Sequence, residues 1–399
     1  MKAGWQRKTI GEVCDVVNGS TPKTGVTAYC DGLHQWITPA EMGKRSTPYI
    51  AKTERAITDA GLQNSSARLL PPQSVILSSR APIGHLVINT APMATNQGCK
   101  GLVPRNGLDA KYLYYYLAGI VPLLNDLGAG ATFKELSGGR LKEVPVPVAP
   151  LPEQHRIVAI LDEAFDGIAT AKANAEKNLQ NARALFESHL QSVFTERGEG
   201  WRAKALGEMA VFRNGINFTK TSKGAPIKIL GVKNFQSNHW APLVDLDSII
   251  PDGVIPDLDT LQEYDIVFVR SNGNPELIGR CLLIGKVSER TTHSGFTIKA
   301  RLQTSELLPN YLCHFLKSGR ARREMIDGGN GVNIKSLNQG TLSRIVIPFP
   351  SLADQAQIVQ RLEHMQGETQ RLESVYQQKL TALNALKKSL LHQAFSGAL

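Results

Sequence analysis

The sequence predicts an α+β fold: two mixed α/β globular halves joined by two long antiparallel coiled-coil helices, a pseudo-twofold tandem repeat. Three observations predict it. The phrase "VPVPVAPLPEQHRIVAIL" (Val144 to Leu161) returns as "IVIPFPSLADQAQIVQRL" (Ile345 to Leu362) at an offset of 201, pairing Leu151 with Leu352, Gln154 with Gln355 and Leu161 with Leu362. The same offset carries "ALFESHLQSVF" (Ala184 to Phe194) onto "ALKKSLLHQAF" (Ala385 to Phe395), and "GAGATFKEL" (Gly128 to Leu136) onto "GNGVNIKSL" (Gly329 to Leu337). Upstream, "WQRKTIGEVCDVVNG" from Trp5 matches "WRAKALGEMAVFRNG" from Trp201 at an offset of 196, so insertions inside the halves absorb the drift. A repeat this long is a duplicated structural unit. Its parts are a globular half over 1–150, a central long helix over 151–197, a second half over 198–350 and a C-terminal long helix over 351–399.

Within the halves, "SVILSS", "YDIVFVR", "CLLIG" and "GFTIKARL" are continuous or alternating apolar runs and read as strands. "AKYLYYYLAGIVPLL" and "PNYLCHFLKSGRARREMI" read as the helix that closes each half. Both halves state a strand, an Arg, a turn and then Ile-Gly: "VILSSRAPIG" (Val75 to Gly84) and "IVFVRSNGNPELIG" (Ile266 to Gly279). The middles diverge. "QWITPAEMGKRSTPYIAKTERAI" has no clear counterpart beside "IKILGVKNFQSNHWAPLVDLD".

The long helices are more legible. Pro145, Pro147, Pro150 and Pro152, and again Pro348 and Pro350, cannot enter a helix interior and punctuate each start. Glu153 and Asp354 place an acid in the first turn, where it suits the helix dipole. From Ile358, steps of four and three give Leu362, Met365, Thr369, Leu372, Tyr376, Lys379, Leu383, Leu386 and Leu390, a mostly bulky seam. The matching positions of the first helix are Ile157, Leu161, Ala164, Ile168, Ala171, Ala175, Asn178, Ala182, Leu185 and His189, a small, Ala-rich seam. Large facing small is what two unlike helices need to pack closely. About 42 residues at about 1.5 Å each make a helix on the order of 60 Å long. The first helix delivers the chain to the second half, so an antiparallel partner runs back and the expected shape is a two-headed shaft.

The chain has 399 residues, of which 42% are apolar and 20% charged, ordinary values for a soluble protein of two or three domains. No apolar run reaches about 18 residues, so no membrane span is expected. The opening "MKAGWQRKTIGEV" lacks an apolar signal core, which makes the cytoplasm the expected location. Cys14, Cys30, Cys99, Cys281 and Cys313 are scattered and form no Cys-x-x-Cys pair, so they read as plain buried thiols. Forty-five basic residues against 35 acidic ones give a net charge of +10, a balance that favours a polyanion.

Two heads on a spacer suit double-stranded DNA, whose major groove returns to the same face about every 34 Å. Similar frames with dissimilar middles imply two different half-sequences, the frame gripping backbone and the middles reading bases. At this point the residues meet a known family. The duplication, the "PLPEQ" and "SLADQ" helix starts, the "GATFKEL" and "GVNIKSL" turns and the ending "LLHQAFSGAL" closely resemble the specificity subunit of Type I restriction–modification enzymes, over essentially the whole chain. The resemblance implies that each half is a target recognition domain reading one half of a bipartite, asymmetric DNA site, with the helices setting the gap. It implies two modification (methyltransferase) subunits and two restriction (motor and nuclease) subunits as partners. S-adenosylmethionine, ATP and Mg would belong to those partners and no cofactor to this chain.

The candidate DNA contacts are read from residue type and place. Lys134 and Lys335 hold equivalent turns before the long helices, beside Thr132 and Asn333; they either grip phosphate or are solvated in a packing turn. Arg80 and Arg270 follow matching strands and either reach guanine or phosphate or sit as ordinary strand-end residues. Asn272 and Asn274 flank Gly273 as adenine readers or as an ordinary turn. Lys44, Arg45, Lys233 and Asn234 lie in the divergent middles, where base reading is expected. Trp36 and Trp240 are expected in the core rather than as wedges in DNA.

Catalytic signatures are missing. The sequence has no Walker loop, no Asn/Asp-Pro-Pro-Tyr and no strand followed by Gly-x-Gly-x-x-Gly. The Asp-x-Lys fragment in "LDAK" reads as a helix N-cap at Asp109, and the nine histidines have no zinc-ligand spacing. A non-catalytic DNA-recognition subunit is therefore expected. The competing readings are a specificity subunit serving a methyltransferase without an ATP-driven motor, a protein-binding coiled-coil adaptor, and an autonomous enzyme.

Overall fold

The chain divides into two units, Met1–Ala175 with Gln378–Leu399 and Glu176–Gln377. The computed structural model describes residues 2, 4–80, 82–130, 134–196, 198–219, 222–235, 238–327 and 336–399.

In the first unit the described strands are β1 (Gln6–Thr9), β2 (Cys14–Asn18), β3 (Cys30–Ile37), β4 (Tyr49–Ile50), β5 (Ala56–Ile57), β6 (Val75–Ser79), β7 (Ile83–Asn89), β8 (Met93–Thr95), β9 (Cys99–Pro104) and β10 (Pro145–Val148). A five-stranded sheet has the order β2-β9-β6-β7-β4 and a three-stranded sheet the order β5-β3-β8. The sequence "VILSS" is buried at every position because β6 sits inside the larger sheet. Strand β1 pairs with β10 and ties the chain's start to the residues that precede the first long helix, Leu151–Thr195. The helix Ala110–Gly119 is capped by Asp109, whose carboxylate accepts from the Tyr112 N–H. Its Tyr112 and Tyr116 rings meet Phe395 edge-on at 5.0 and 5.2 Å. Ile157 and Leu161 are fully buried in the same core as Leu391 and Ala394 of the second long helix, Leu352–Ser396. Arg156 donates to the Leu399 carbonyl at 2.9 Å, and the Lys387 ammonium lies 4.9 Å from the Phe165 ring. Rising numbers on one helix meet falling numbers on the other, so within this unit the two helices run antiparallel.

The second unit repeats the plan. Its described strands are β11 (Arg202–Ala205), β12 (Ala210–Asn214), β13 (Ile227–Leu230), β14 (Asp247–Ile249), β15 (Ile266–Val269), β16 (Cys281–Leu283), β17 (Thr291–His293), β18 (Thr297–Leu302) and β19 (Val346–Phe349). They form sheets β12-β18-β15-β16 and β14-β13-β17, with β11 paired to β19. Phe194 of the first long helix meets Tyr311 and Phe315 edge-on at 5.4 and 5.3 Å. Val359 and Leu362 share that core with Leu190, and Arg183 pairs with Glu373 at 2.8 Å, again antiparallel. Asp265 is buried and held by a bidentate Arg301 at 2.7 and 2.8 Å, while Lys299 donates to the Leu258 and Thr260 carbonyls.

The expected strands are present, and three details differ from the sequence reading. Each closing helix is two helices, Ala110–Gly119 with Val121–Asp126 and Pro309–Lys317 with Gly319–Asp327. Pro122 stands at the start of the second piece in one case. In the other, the extended Ser318 ends one helix and caps the next through its hydroxyl. The heptad seam also drifts: Leu185, Leu372 and Leu386 are exposed (66%, 43% and 47%), while Phe186 and Leu380 are partly covered. An α-helix closer to 3.6 residues per turn rotates a strict 3.5-residue stripe by about 20° each heptad. Trp36 is in the core, but Trp240 is 41% exposed and is not a core residue. Of the cysteines, Cys14, Cys99, Cys281 and Cys313 are buried and Cys30 is half-buried.

Candidate nucleic-acid interface

The end of β6 organises one face of the first head. Ser79 donates to the Gly98 carbonyl at 2.7 Å and accepts from the Leu136 N–H at 2.8 Å, so the residues just past Lys134 are stitched to the strand end. Arg80 bridges to Glu135, its guanidinium 3.9 Å from the carboxylate, and the buried Lys100 ammonium lies 3.9 Å from the same group. Burial lowers the Lys100 pKa and Glu135 partly opposes that. A glycine is required at Gly98: a Cβ there would stand 3.3 Å from Arg80 Nε and 3.1 Å from Pro39 Cγ. Pro39 opens the short helix Pro39–Met42, capped by Thr38, that leads to Lys44 and Arg45. Lys44 pairs with Glu54 at 3.1 Å, and Arg45 donates to the Lys52 carbonyl at 3.1 Å. Lys134 is exposed.

The second head has the same frame at its strand end. Arg270 donates its N–H to the Phe296 carbonyl at 2.8 Å and accepts from the Leu337 N–H at 2.9 Å. These are the bonds that Ser79 makes in the first head. The sheet register agrees, because Val75 faces Leu102, which faces Val16, while Ile266 faces Ala300, which faces Phe212. Arg270 therefore stands where Ser79 stands, and the place of Arg80 is held by Ser271. The two arginines follow matching strands one residue out of step, and successive side chains along a strand point to opposite faces. The Arg270 guanidinium is half-buried and has no ion pair or hydrogen bond to a described residue. Asn272 accepts from the Asn274 N–H at 2.8 Å and Asn274 from the Glu276 N–H at 3.0 Å, so both amides are occupied in building the turn. Lys335, with Thr132 and Asn333, lies outside the described residues.

The divergent middles share a hidden scaffold. Strand β3 runs parallel to β8 with Ile37 opposite Thr95, and β13 runs parallel to β17 with Leu230 opposite His293. In both heads the next residue donates back across the pair, Asn96 to Ile37 and Ser294 to Leu230. Lys44 with Arg45 and Lys233 with Asn234 thus follow topologically equivalent strands, through the Pro39–Met42 helix in one head and a 3-10 turn, Val232–Asn234, in the other. Lys233 pairs with Asp247, and the Asn234 amide oxygen accepts from the Gly231 N–H at 2.9 Å. Exposed pairs such as Lys44–Glu54 are worth only about 0–1 kcal/mol, so a phosphate can take the place of the carboxylate at little cost.

Sequence reasoning passed over two residues that set each head on its helix. Gln154 is fully buried, accepts from the Asp109 N–H at 2.8 Å and donates to the Gly107 and Ala149 carbonyls. Gln355 repeats this with the Leu308 N–H at 2.8 Å and the Glu306 and Pro350 carbonyls. Tyr112 and Tyr311 add matching bonds to the Pro147 and Pro348 carbonyls at 2.7 and 2.8 Å. The signal was a Gln kept at both helix starts.

Among the described residues, no group of three or more His, Cys, Asp or Glu side chains is placed to hold a metal ion. Burial pushes the Cys14 and Cys99 thiols up to about 12, far from thiolate chemistry near neutral pH. No described helix is long and apolar enough to cross a membrane.

The sequence matches the family model of the Type I restriction modification DNA specificity domain twice, over residues 2–180 and 198–382. It is 33% identical over 230 residues to the Type I restriction enzyme MjaIX specificity subunit of Methanocaldococcus jannaschii, a match spanning 53% of each chain. Over 99% of this chain and 89% of the other it is 23% identical to the StySPI specificity subunit of Salmonella potsdam. A solved chain from a type I R-M system, studied for complex assembly and conformational transition, shares the fold at TM-score 0.78 and 16% identity, over 100% of this chain and 99% of that one. With both matched segments falling on the repeated units, the chain belongs to the Type I restriction–modification DNA specificity family.

Proposed function

We propose that this chain is the DNA specificity subunit of a Type I restriction–modification complex, and that each head reads one half of a bipartite, asymmetric site. One observation carries the reading: the two heads share a frame down to individual hydrogen bonds, yet fill it with different segments after β3 and β13. A shared frame with unlike inserts suits two readers of unlike sequences. The role is recognition without catalysis, and the catalytic subunits supply the chemistry. Two modification subunits, carrying S-adenosylmethionine, and two restriction subunits, using ATP and Mg, are the proposed partners on double-stranded DNA, and the cytoplasm is the proposed location. The recognition domains are taken as 1–150 and 198–350, with 151–197 and 351–399 as the helices that set the unread gap.

At the residue level, Arg80, Arg270, Lys134 and Lys335 are proposed to hold DNA at the strand ends. Lys44, Arg45 and Lys233 follow the equivalent inner strands and are proposed to exchange a carboxylate or carbonyl for DNA. Asn234 and Asn272 shape the turns beside them. The test is a methylome. The chain is co-expressed with its modification partner in a methylation-free host, and N6-methyladenine is mapped by direct sequencing. A single bipartite motif with an unread gap is expected. No new methylation from a complex shown to be soluble and assembled would reject the reading.

A further inference from the structure

The second head contains a cavity of about 250 Å³ whose polar lining is dominated by Arg280, Lys317 and Arg322, with Asn238 and Cys281 beside them. None of its lining residues is a carboxylate. The three cations come from separate places: Arg280 immediately precedes β16, Lys317 ends the helix Pro309–Lys317, and Arg322 lies in the helix Gly319–Asp327. Their own bonds leave positive charge unanswered. Lys317 donates to the Asn238 carbonyl at 2.6 Å, and Arg322 donates to the Glu276 carbonyl, so both meet neutral oxygens. Arg280 Nε is buried and makes no hydrogen bond in the structure. Burial and the neighbouring Arg280 charge together lower the Arg322 pKa, with the Glu276 carboxylate only partly offsetting them. Like-charged groups gathered around an orphaned donor are stable partners for an anion and poor partners for one another.

The repeat supplies an internal control. Register places His85 of the first head where Arg280 stands, since Leu86 pairs with Leu77 as Cys281 pairs with Phe268. The matching tyrosines, Tyr112 and Tyr311, put Ala118 at the place of Lys317. The short helix Val121–Asp126, with sequence VPLLND, carries no cation at all. The frame folds without these three charges, so their gathering in one head is not a requirement of the fold.

We propose that this cavity is a binding site for a single phosphate-type oxyanion, held by Arg280, Lys317 and Arg322. Its size leaves room for one phosphate with bridging waters and falls short of the roughly 300 Å³ typical of pockets for larger ligands. Two sources share this chemistry, a DNA backbone phosphate and a free phosphate group.

The test uses the full chain and inorganic phosphate at constant ionic strength, read by ³¹P line broadening and by the thermal midpoint. The parent chain is expected to show saturable binding. Arg280→Met and Arg322→Gln are expected to weaken it at least tenfold, and Lys388→Gln, a cation exposed elsewhere, to leave it unchanged. Folding of the variants is read independently in phosphate-free buffer, where Arg280→Met is expected to melt no lower than the parent because it removes an unpaired cation. No saturable response in the parent, or an equal response in the Arg variants, would overturn the site. A phosphate-free midpoint for Arg280→Met well below the parent would overturn it too, by showing that Arg280 is structural. A duplex added to the phosphate-loaded chain then assigns the source. Displacement of phosphate identifies a DNA backbone contact, and co-occupancy identifies a free phosphate. The phosphate arm does not depend on the chain's reading of DNA, so the two proposals fail separately.

Discussion

At the scale of single residues, the second head is marked by histidines kept neutral. His239, His293 and His314 are 7%, 0% and 1% exposed. Burial, and for His239 also the adjacent His314 and Lys317, takes their pKa values down to about 2, 3 and 4. His239 and His314 stack with ring centroids 4.2 Å apart, and three of their four ring nitrogens have no hydrogen-bond partner. An unfolded histidine takes up a proton near pH 6.5, whereas these resist one in the folded state. Between those values the unfolded chain binds more protons, so stability is fully present above about pH 6.5 and falls as the pH falls below it. Each histidine contributes a slope of up to about 1.4 kcal/mol per pH unit in that window. Urea titrations of the full chain at pH 7.5 and 5.5, with hydrogen exchange reporting on β15–β18, should show the second unit losing stability on acidification. His239→Phe should flatten the slope by up to one histidine's share, and a pH-independent unit would sink the account.

At the scale of elements, the ends of the two long helices complete the cores. Phe194 lies against Tyr311 and Phe315, and Phe395 against Tyr112 and Tyr116, in the same edge-on geometry 201 residues apart. Removing a buried Phe side chain costs about 3–5 kcal/mol, plus the edge-to-face contacts. Phe194→Ala should therefore destabilise the second unit and Phe395→Ala the first, each unit melting earlier while the other is unchanged. Loss in the opposite unit, or in neither, would contradict the assignment. These helix ends were legible because the Phe recurs in "LQSVF" and "LHQAF". Strands such as β6 and β15 were legible too, being continuous apolar runs. The equivalence of β3 with β13 was not, because parallel pairing with β8 and β17 is made by backbone and tolerates any side chains that fit. The register of Arg80 and Arg270 was missed for a related reason: equal spacing from an apolar run fixes a strand, not which residue crosses which partner. At the candidate interface, the sequence showed which residues lie after strands. It could not show that the Asn272 and Asn234 amides are spent on turns, since that depends on local backbone geometry.

At the scale of the whole molecule, the proposed reading makes the helices the determinant of the gap between half-sites. Each is 45 residues long, and each passes from one unit's residues to the other's, after Ala175 and after Gln377. Seven residues are close to two full helical turns, so an added heptad preserves the seam with a drift of only about 20°. It lengthens the helix by about 10 Å, which at about 3.4 Å per base pair is roughly three base pairs of DNA. Both helices must be extended together, because a single insertion would slide one seam past the other and set large residues against large. One heptad inserted after Ala175 and one after Gln377 should give a methylome with both half-sequences intact and a gap longer by about three base pairs. An unchanged gap with full methylation would show that the spacing is set by the heads or by partner subunits. Loss of one half-sequence would instead place the inserted residues in contact with a head's reading surface.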